Sequence, residues 1–258
     1  MNPDWSHPLQ FPFCSAPLGA GETVRRRAEV AGRVMQDSRQ LRNPDFAAVE
    51  KQDLYSLLHA YDELFLDGGL NRWLESRAGR LQLRWSRRMT SSGGITSHRV
   101  TRRGQPDEFE IAISSTLLFG TDFGDRPVRV AGVVTDHRLD ALQRIFEHEL
   151  VHLLEMILWG RSSCARARFR RAVAGMFGHR ESNHQLITPA ERIRTRQSLD
   201  VGDPVRFRHR GRELAGYINR VGHRVTVLVE HPSGHRFDDG RRYLVYYVPP
   251  RQLRAATG

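Results

Sequence analysis

The segment from Arg138 to Trp159 constrains the fold more than any other part of the sequence. Its apolar residues recur at intervals of three and four, at positions 139, 142, 145, 146, 150, 153, 154 and 157, and Gly160 follows directly. This period is typical of an amphipathic α-helix that buries one face, and glycine commonly ends such a helix. The sequence therefore predicts a long helix over residues 138–159, packed inside a sizeable domain.

Charged and imidazole side chains interrupt this apolar segment, so it is not expected to span a membrane. They are Asp140, Arg144, Glu147, His148, Glu149, His152 and Glu155. Residues 1–20 lack a basic start followed by an apolar run, and no signal peptide is expected. The two cysteines, Cys14 and Cys164, cannot form a disulfide framework, which makes a reducing cytoplasm the expected compartment.

The predicted helix carries an HExxH arrangement made by His148, Glu149 and His152. Residues four apart share a helix face, so both imidazoles can bind one tetrahedral zinc ion while Glu149 reaches a water on it. Zinc lowers the pKa of that water and polarises a peptide carbonyl, and the glutamate accepts and then donates the proton. The motif thus suits peptide-bond hydrolysis; the alternative is a core helix whose histidines are only hydrogen-bonded.

Helices and short strands alternate in the first three quarters of the chain, which predicts an α+β fold. Besides the long helix, helical spacing predicts helices over residues 22–40, 53–65, 166–177 and 189–198. Alternating apolar residues predict strands over 81–85, 95–101 and 109–115, and residues 128–134 are expected to form either another extended run or the approach to the long helix. The Asp67-Gly68-Gly69 sequence is expected to break the second helix, and residues 1–20 are expected to form an irregular arm.

The composition changes near Leu199 to short β runs separated by turns. The predicted strands cover residues 205–209, 214–221, 224–230 and 243–248, with turns at 210–211, 222, 232–234 and 238–240. This size and strand number suit a small SH3-like barrel. The expected division is an N-terminal arm and helix (1–50), a main domain (51–186), a linker helix (187–198) and a small basic β-barrel (199–258).

The net charge of +11 is unevenly distributed along the chain. Residues 201–258 hold eleven arginines against five acidic residues, whereas residues 101–150 are acidic overall. This surplus favours an anionic partner, of which nucleic acid, DNA or RNA, is the commonest. Every basic residue except Lys51 is arginine, however, which also fits a compositional bias of the source.

Arginines and aromatics are interleaved in the C-terminal segment. The candidate nucleic-acid-binding residues are Arg206, Arg208, Arg220, Arg224, Arg241 and Arg242. The alternative is an ordinary solvated face, with the aromatics mostly in the core. The arginines of the first helix, Arg25, Arg26 and Arg33, lie in a segment without net charge and are expected to be structural.

Residues 53–185 resemble the SprT-like (Spartan-type) zinc metalloproteases. The resemblance is carried by Leu54-Tyr55 with Tyr61-Asp62-Glu63-Leu64-Phe65 and Leu70, by Leu83-Arg84-Trp85-Ser86-Arg87-Arg88-Met89 before Gly93-Gly94, by Ile111-Ala112-Ile113-Ser114, and by Phe146-Glu147-His148-Glu149-Leu150-Val151-His152-Leu153-Leu154. It implies a zincin-like core, a bound zinc ion and, as in the better-known members, cleavage of DNA-associated proteins.

The third zinc ligand departs from that family's pattern. The resemblance implies a histidine four residues before an aromatic on the next helix, but counting back from Phe169 leads to Ala165, which cannot bind a metal. The adjacent Cys164 is the preferred substitute because a thiolate binds zinc well, although a small buried hydrophobe is the alternative. The other candidate ligands are His179, His184 and, as a carboxylate, Glu181. His179 could reach the metal only if the chain folds back.

The sequence as a whole predicts a zinc-dependent endopeptidase that acts on protein substrates and is recruited to nucleic acid by its basic C-terminal barrel. The alternative is a non-proteolytic nucleic-acid-binding protein with a structural metal site. Glu149 favours the enzyme, because a structural site needs no general base beside its ligands. The physiological substrate and the oligomeric state stay open.

Overall fold

The computed structural model describes residues 17–77, 79–99, 107–124 and 126–256. The chain is α+β and divides into two compact units, Met1–Leu186 and Ile187–Gly258. Most of the expected N-terminal arm, including Cys14, lies outside the described residues. Of the helices within the described ranges, none is long and apolar enough to cross a membrane.

The N-terminal unit combines helices with a small mixed sheet. Its helices are α1 (Ala20–Asp37), α2 (Lys51–Leu66), α3 (Gly69–Ser76), α4 (Ser115–Gly120), α5 (Arg138–Trp159) and α6 (Ala167–Phe177). Its strands are β1 (Arg80–Ser86), β2 (Gly94–Arg99), β3 (Glu108–Ser114), β4 (Val128–Val130) and β5 (Val133–Thr135). β3 lies between β1, to which it is parallel, and β2, to which it is antiparallel; β4 and β5 form a hairpin.

Helix α5 has the predicted bounds and lies in the centre of the N-terminal core. Seven of the eight apolar positions named above are buried, with Phe146 and Leu150 completely inaccessible, and Ile157 is partly buried. The helix begins where Nδ1 of His137 accepts a hydrogen bond from the Asp140 backbone at 3.0 Å. It ends at Gly160, which adopts a left-handed conformation with φ of 67°.

Helix α1 belongs to the same core, so the expected division at residue 50 does not separate two bodies. Its residues Val30 and Val34 are buried in the cluster that surrounds α5. The structural interpretation of its outer arginines agrees with their contacts: Arg25, Arg26 and Arg33 form ion pairs within 3.4 Å of glutamates on α1 and α2. The helix therefore supports the core rather than presenting free cations.

A short helix that the sequence did not predict, α3, begins where the second helix was expected to end. Asp67 and Gly68 adopt left-handed conformations, with φ of 50° and 69°, and turn the chain sharply. The buried carboxylate of Asp62 then accepts hydrogen bonds from the backbone nitrogens of Leu70 and Asn71 at 2.8 and 2.9 Å. These bonds satisfy free donors at the start of α3. The Asp67-Gly68-Gly69 sequence therefore ends α2, as predicted, and a second short helix begins directly after the turn.

The C-terminal unit is built on a five-stranded antiparallel sheet. It contains α7 (Pro189–Gln197), β6 (Pro204–His209), β7 (Arg212–Val221), β8 (Val225–Arg236), β9 (Arg242–Val248), a 3₁₀ turn (Pro250–Gln252) and β10 (Arg254–Ala255). The strand order is β10-β6-β7-β8-β9. Val205, Phe207, Ile218, Val225 and Val227 form its buried core.

The turn predicted at residues 232–234 is wrong, because β8 continues through it. A β-carbon on Gly234 would lie 2.3 Å from the backbone of Tyr243, so the glycine lets the strand run directly beside β9. The pairing shifts register between Glu230 and His235, which accommodates the irregular residues as a bulge. The strand break expected from the Pro-Ser-Gly composition therefore becomes a distortion inside a longer strand.

Candidate metal centre

The two histidines of the HExxH arrangement lie side by side on α5. Their Nε2 atoms are 3.1 Å apart. Both rings pack against the buried ring of Phe169 on α6, with centroid distances of 4.8 Å from His148 and 4.3 Å from His152. This packing restricts the rotation of the imidazoles and directs the two nitrogens to a common point.

Cys164 completes the cluster from the segment between α5 and α6. Among the described residues, His148, His152 and Cys164 form the single group of three or more potential ligands, and their ligand atoms all lie within 4.8 Å of one another. A tetrahedral zinc ion with ordinary bond lengths separates two nitrogens by about 3.3 Å and a nitrogen from a sulfur by about 3.6 Å. The histidine pair already has this spacing, and a side-chain movement of about 1 Å would bring in the thiol.

Both histidines are neutral near pH 7, as metal ligands must be. Burial, together with the smaller effects of His152 and His179, lowers the pKa of His148 to about 3. Burial also lowers the pKa of His152 to about 4, although the carboxylate of Glu155 opposes this shift. The donor set of two neutral imidazoles and a thiol therefore fits zinc.

A partly buried hydrogen-bond chain orients His152 from behind. The Ser162 hydroxyl lies 2.7 Å from Nδ1 of His152 and donates to the carboxylate of Glu155 at 2.6 Å. Because the hydroxyl proton points to Glu155, its oxygen accepts the Nδ1 proton of His152, and Nε2 keeps its lone pair for a metal. Arg168 donates to the other oxygen of Glu155 at 2.6 Å and stacks 3.6 Å above the Trp159 ring.

The sequence interpretation missed this chain, which we call the His152 support. Its members are Glu155, Ser162 and Arg168. The one sequence signal was Glu155, an acidic residue three positions after His152 and therefore on the same helix face. Ser162 and Arg168 have no comparable signal, because they reach the site through the fold of the segment after α5.

Glu149 is a buried carboxylate beside the two histidines. Only 5% of its surface is exposed, and burial raises its pKa to about 7 despite a hydrogen bond from Thr96. The Thr96 hydroxyl on β2 lies 2.8 Å from the carboxylate and 3.0 Å from the backbone oxygen of Glu149. A β-carbon on Gly94 would lie 2.5 Å from Cγ of Glu149, so β2 can approach this closely only with glycine there.

The histidines and Glu149 line a pocket of about 540 Å³. Its wall is formed by the start of β2, the inner face of α5, the end of β4 and residues 182–184. His184, one of the alternative ligands, lies in this wall and donates through Nε2 to the Ser91 carbonyl at 3.1 Å. It is not part of the ligand cluster, so its position suits contact with a molecule in the pocket.

The structure does not bring His179, an alternative ligand, to the ligand cluster. Its Nε2 lies 2.7 Å from the buried carboxylate of Glu147, which also accepts from Arg27 at 2.6 Å and from the Tyr61 hydroxyl at 2.8 Å. Burial alone would raise the pKa of Glu147, but the charge of Arg27 and the bond from His179 lower it to about 2. Helix α6 carries His179 into this ionic cluster rather than back to the metal site. Glu181, the weaker candidate, packs against the turn at Gly132 instead.

The six candidate arginines of the C-terminal unit have different surroundings. Three form contacts within their own unit, and a fourth lies opposite an acidic residue on the neighbouring strand. Arg208 lies opposite Glu213 in register, Arg224 donates to the Tyr247 carbonyl at 3.4 Å, Arg241 lies 3.5 Å from Glu230, and Arg242 donates to the Gly234 carbonyl at 3.0 Å. The other two, Arg206 and Arg220, point away from the core of the sheet.

The expectation that the aromatics of this unit are mostly core holds for only some of them. Tyr243 is buried and Tyr246 packs against the core, but Tyr217 and Tyr247 are 47% and 65% exposed.

Comparisons with family models, with curated proteins and with solved structures found no match to this chain.

Proposed function

We propose that this chain is a zinc-dependent endopeptidase whose metal is held by His148, His152 and Cys164. The observation that carries the proposal is Glu149, a buried carboxylate with its pKa raised to about 7, next to His148 in the wall of an open pocket. A group with a pKa near the working pH can both accept and donate a proton, as peptide hydrolysis requires.

The catalytic residues divide the chemistry between them. When bound, zinc supplies a Lewis acid that polarises the peptide carbonyl and acidifies water. Glu149 accepts the proton of the attacking water and passes it to the amine nitrogen of the leaving peptide. Thr96 holds the carboxylate in place during both transfers, and the burial of Glu149 keeps bulk water from competing for the proton.

The position of β2 favours a peptide substrate over a small molecule. Among the described residues, β2 pairs only with β3, so the backbone groups of its other edge are available. Its residues Gly94, Ile95 and Thr96 line the pocket. An extended peptide can pair with such an edge and place a backbone carbonyl near the ligand cluster.

As part of the same proposal, we assign the N-terminal unit to the SprT-like, zincin-like fold and the C-terminal unit to the SH3-like barrels. The support is the motif helix α5 packed beside a small mixed sheet, and a five-stranded antiparallel sheet around one core. The substitution of Cys164 for the family's third histidine is the main departure. The low cysteine content leads us to place the protein in the cytoplasm.

A structural metal site in a non-proteolytic protein is the competing interpretation. Structural zinc sites are closed by four protein ligands, whereas catalytic sites keep one position open. Three potential ligands come together in the described part of the chain, and two of them, His148 and His152, line an open pocket together with Glu149. Both features favour catalysis.

The test compares wild type with Glu149→Gln. Zinc content is measured first, and cleavage of casein and of DNA-binding proteins is then followed with and without DNA. We expect Glu149→Gln to keep zinc and lose cleavage by about 10²- to 10⁴-fold. Glu75→Gln, on the exposed surface of α3, is the matched control and keeps full activity. Zinc retained in both proteins without Glu149-dependent cleavage of any substrate contradicts the proposal.

The second part of the proposal is that the C-terminal unit recruits the enzyme to nucleic acid. The support is the excess of positive charge in residues 201–258, which contain eleven arginines and five acidic residues. Electrostatic binding to phosphates releases counterions, so the affinity of the full chain for nucleic acid is expected to fall steeply with salt. Binding that is absent or insensitive to salt contradicts recruitment.

A further inference from the structure

The outer face of the C-terminal sheet is set by the alternation of its strands. On β6, Val205 and Phe207 enter the core, and Arg206 between them points outward. On β7, Ile218 enters the core and Tyr217 points outward. Arg206 and Tyr217 share the outer face because the register pairs Arg206 with Ala215, two residues before Tyr217.

A bulge in β7 brings Arg220 to the same face. Strict alternation would place Arg220 on the side of Ile218, towards the core. The pairing with β8 instead skips Asn219: Ile218 pairs with Val227, and Arg220 pairs with Thr226. The extra residue reverses the alternation, which is a common way for a bulge to redirect a side chain. Arg220 therefore lies on the same side as Tyr217.

Cross-strand pairing extends this surface to β9 and β10. Thr226 pairs with Tyr247, so Arg220, Thr226 and Tyr247 form one row across three strands. The next row contains Tyr217, Leu228 and Val245, and the one after it contains Ala215, Arg206 and Arg254. We call these three rows the outer face. No residue in these rows, all of which the structure describes, is acidic; Glu213 and Glu230 lie just beyond them on the same side of the sheet, opposite Arg208 and Tyr243.

The two tyrosines of the outer face are unusually exposed for large aromatic side chains. Tyr217 is 47% exposed and Tyr247 is 65% exposed, although Tyr243 on the same sheet is buried. Leu228 pairs with Tyr217 on one side and with Val245 on the other, which provides an apolar floor beside the tyrosines. Arginines stand at both ends of the surface. Exposed aromatic rings on a sheet with flanking guanidinium groups match unpaired bases joined by phosphates.

We propose that the outer face binds a single strand of nucleic acid, with Tyr217 and Tyr247 stacking on bases and Arg206 and Arg220 contacting phosphates. A single strand is favoured over a duplex because the ring faces of its bases are free to stack, whereas those of paired bases already stack on one another. The proposal deepens the recruitment part of the proposed function and does not depend on proteolysis.

The tyrosines are tested by binding of the full chain to a fluorescent oligothymidylate of about 20 nucleotides, longer than one small barrel covers. Tyr217→Ser and Tyr247→Ser are each expected to weaken binding by roughly 5- to 150-fold, the usual contribution of one stacked base. Tyr217→Phe and Tyr247→Phe keep the ring and are expected to bind within about twofold of wild type. Serine variants that stay folded by circular dichroism and bind like wild type overturn the proposal.

The arginines are tested by the salt dependence of the same binding. Arg206→Gln and Arg220→Gln should each lower the slope of log affinity against log salt by about 0.7, the value for one lost contact to a single strand. Arg25→Gln removes the same charge from α1, where Arg25 pairs with Glu22 at 2.8 Å, and it is expected to leave the slope unchanged. If the slope falls equally in all three variants, the effect reflects net charge alone, and the assignment of the outer face is overturned.

Competition experiments distinguish the ligand. A duplex of the same length, or polyglutamate, should displace the oligothymidylate at least tenfold less well than an unlabelled single strand. If either competitor displaces it equally well or better, the proposal is overturned.

If wild type binds no nucleic acid, recruitment itself fails. If wild type binds but the variants of the outer face bind equally well, only the assignment of this face fails, and Glu149-dependent cleavage is unaffected in both cases.

Discussion

Replacing Arg27 should destabilise the protein strongly, because this arginine of α1 neutralises a carboxylate inside the core. Its guanidinium donates to Glu147 at 2.6 and 3.1 Å and to the Phe177 carbonyl at 2.7 Å. The side chain of Glu147 is completely inaccessible to water. Removal of one partner of such a pair costs about 3–5 kcal/mol. Tyr61 and His179 still donate to Glu147, so we expect Arg27→Met to cost about 3 kcal/mol, measured by urea denaturation.

The double variant separates the ion pair from simple loss of packing. With Arg27→Met and Glu147→Leu together, no charge is left unpaired, but Tyr61 and His179 lose their buried acceptor. The double variant should therefore cost about as much as Arg27→Met alone, rather than the sum of the two single losses. The coupling between the two positions is then at least about 2 kcal/mol. Additive losses, or a cost below about 1 kcal/mol for Arg27→Met alone, would refute the view that this pair supports α5.

The direction in which Arg27→Met changes the stability in acid follows from the pKa of Glu147. In wild type the pKa of Glu147 is lowered to about 2, chiefly by Arg27 against the opposing effect of burial. Its contribution to stability is present above the ordinary carboxylate pKa and is lost as the pH falls towards 2. Without Arg27 the folded-state pKa rises, so the variant should begin to unfold at a higher pH than wild type in an acid titration followed by circular dichroism.

Three further predictions concern the metal site. Ser162→Ala should weaken zinc binding about 10- to 100-fold in a chelator competition, and Ser162→Thr should restore it, because the hydroxyl is the group that orients His152. If Ser162→Ala binds zinc as tightly as wild type, Ser162 does not have this role. Gly94→Ala should keep zinc but lose most cleavage, because the new β-carbon would lie 2.5 Å from Cγ of Glu149; unchanged cleavage would show that this approach is not needed. His179→Ala should lower the melting temperature and leave the zinc content at wild-type level, whereas loss of zinc would return His179 to the ligands.

The parts of the fold that depend on local pattern could be predicted from the sequence. The bounds of α5 follow from its period and from Gly160, and the proximity of His148 and His152 follows from helix geometry. Cys164 was placed near the site by its distance along the chain from Phe169, and the structure brings it to the cluster. In each case, neighbours in sequence decide the outcome.

The parts that depend on long-range contacts could not be predicted in this way. His179 bonds to Glu147, 32 positions earlier, and Thr96 reaches Glu149 across 53 positions. Arg220 was selected for its charge, but its direction depends on a bulge that the alternation of β7 does not reveal. Such contacts arise only when the sheet and helices pack, so the composition and the spacing of apolar residues do not predict them.

All of the proposed chemistry depends on one zinc ion held by two imidazoles and a thiolate. X-ray absorption at the zinc edge of the metal-loaded full chain measures this directly. We predict two nitrogen ligands at about 2.0–2.1 Å and one sulfur at about 2.3 Å, with the sulfur signal lost in Cys164→Ser. A wild-type spectrum without sulfur, or one with four protein ligands and no open position, would contradict the account.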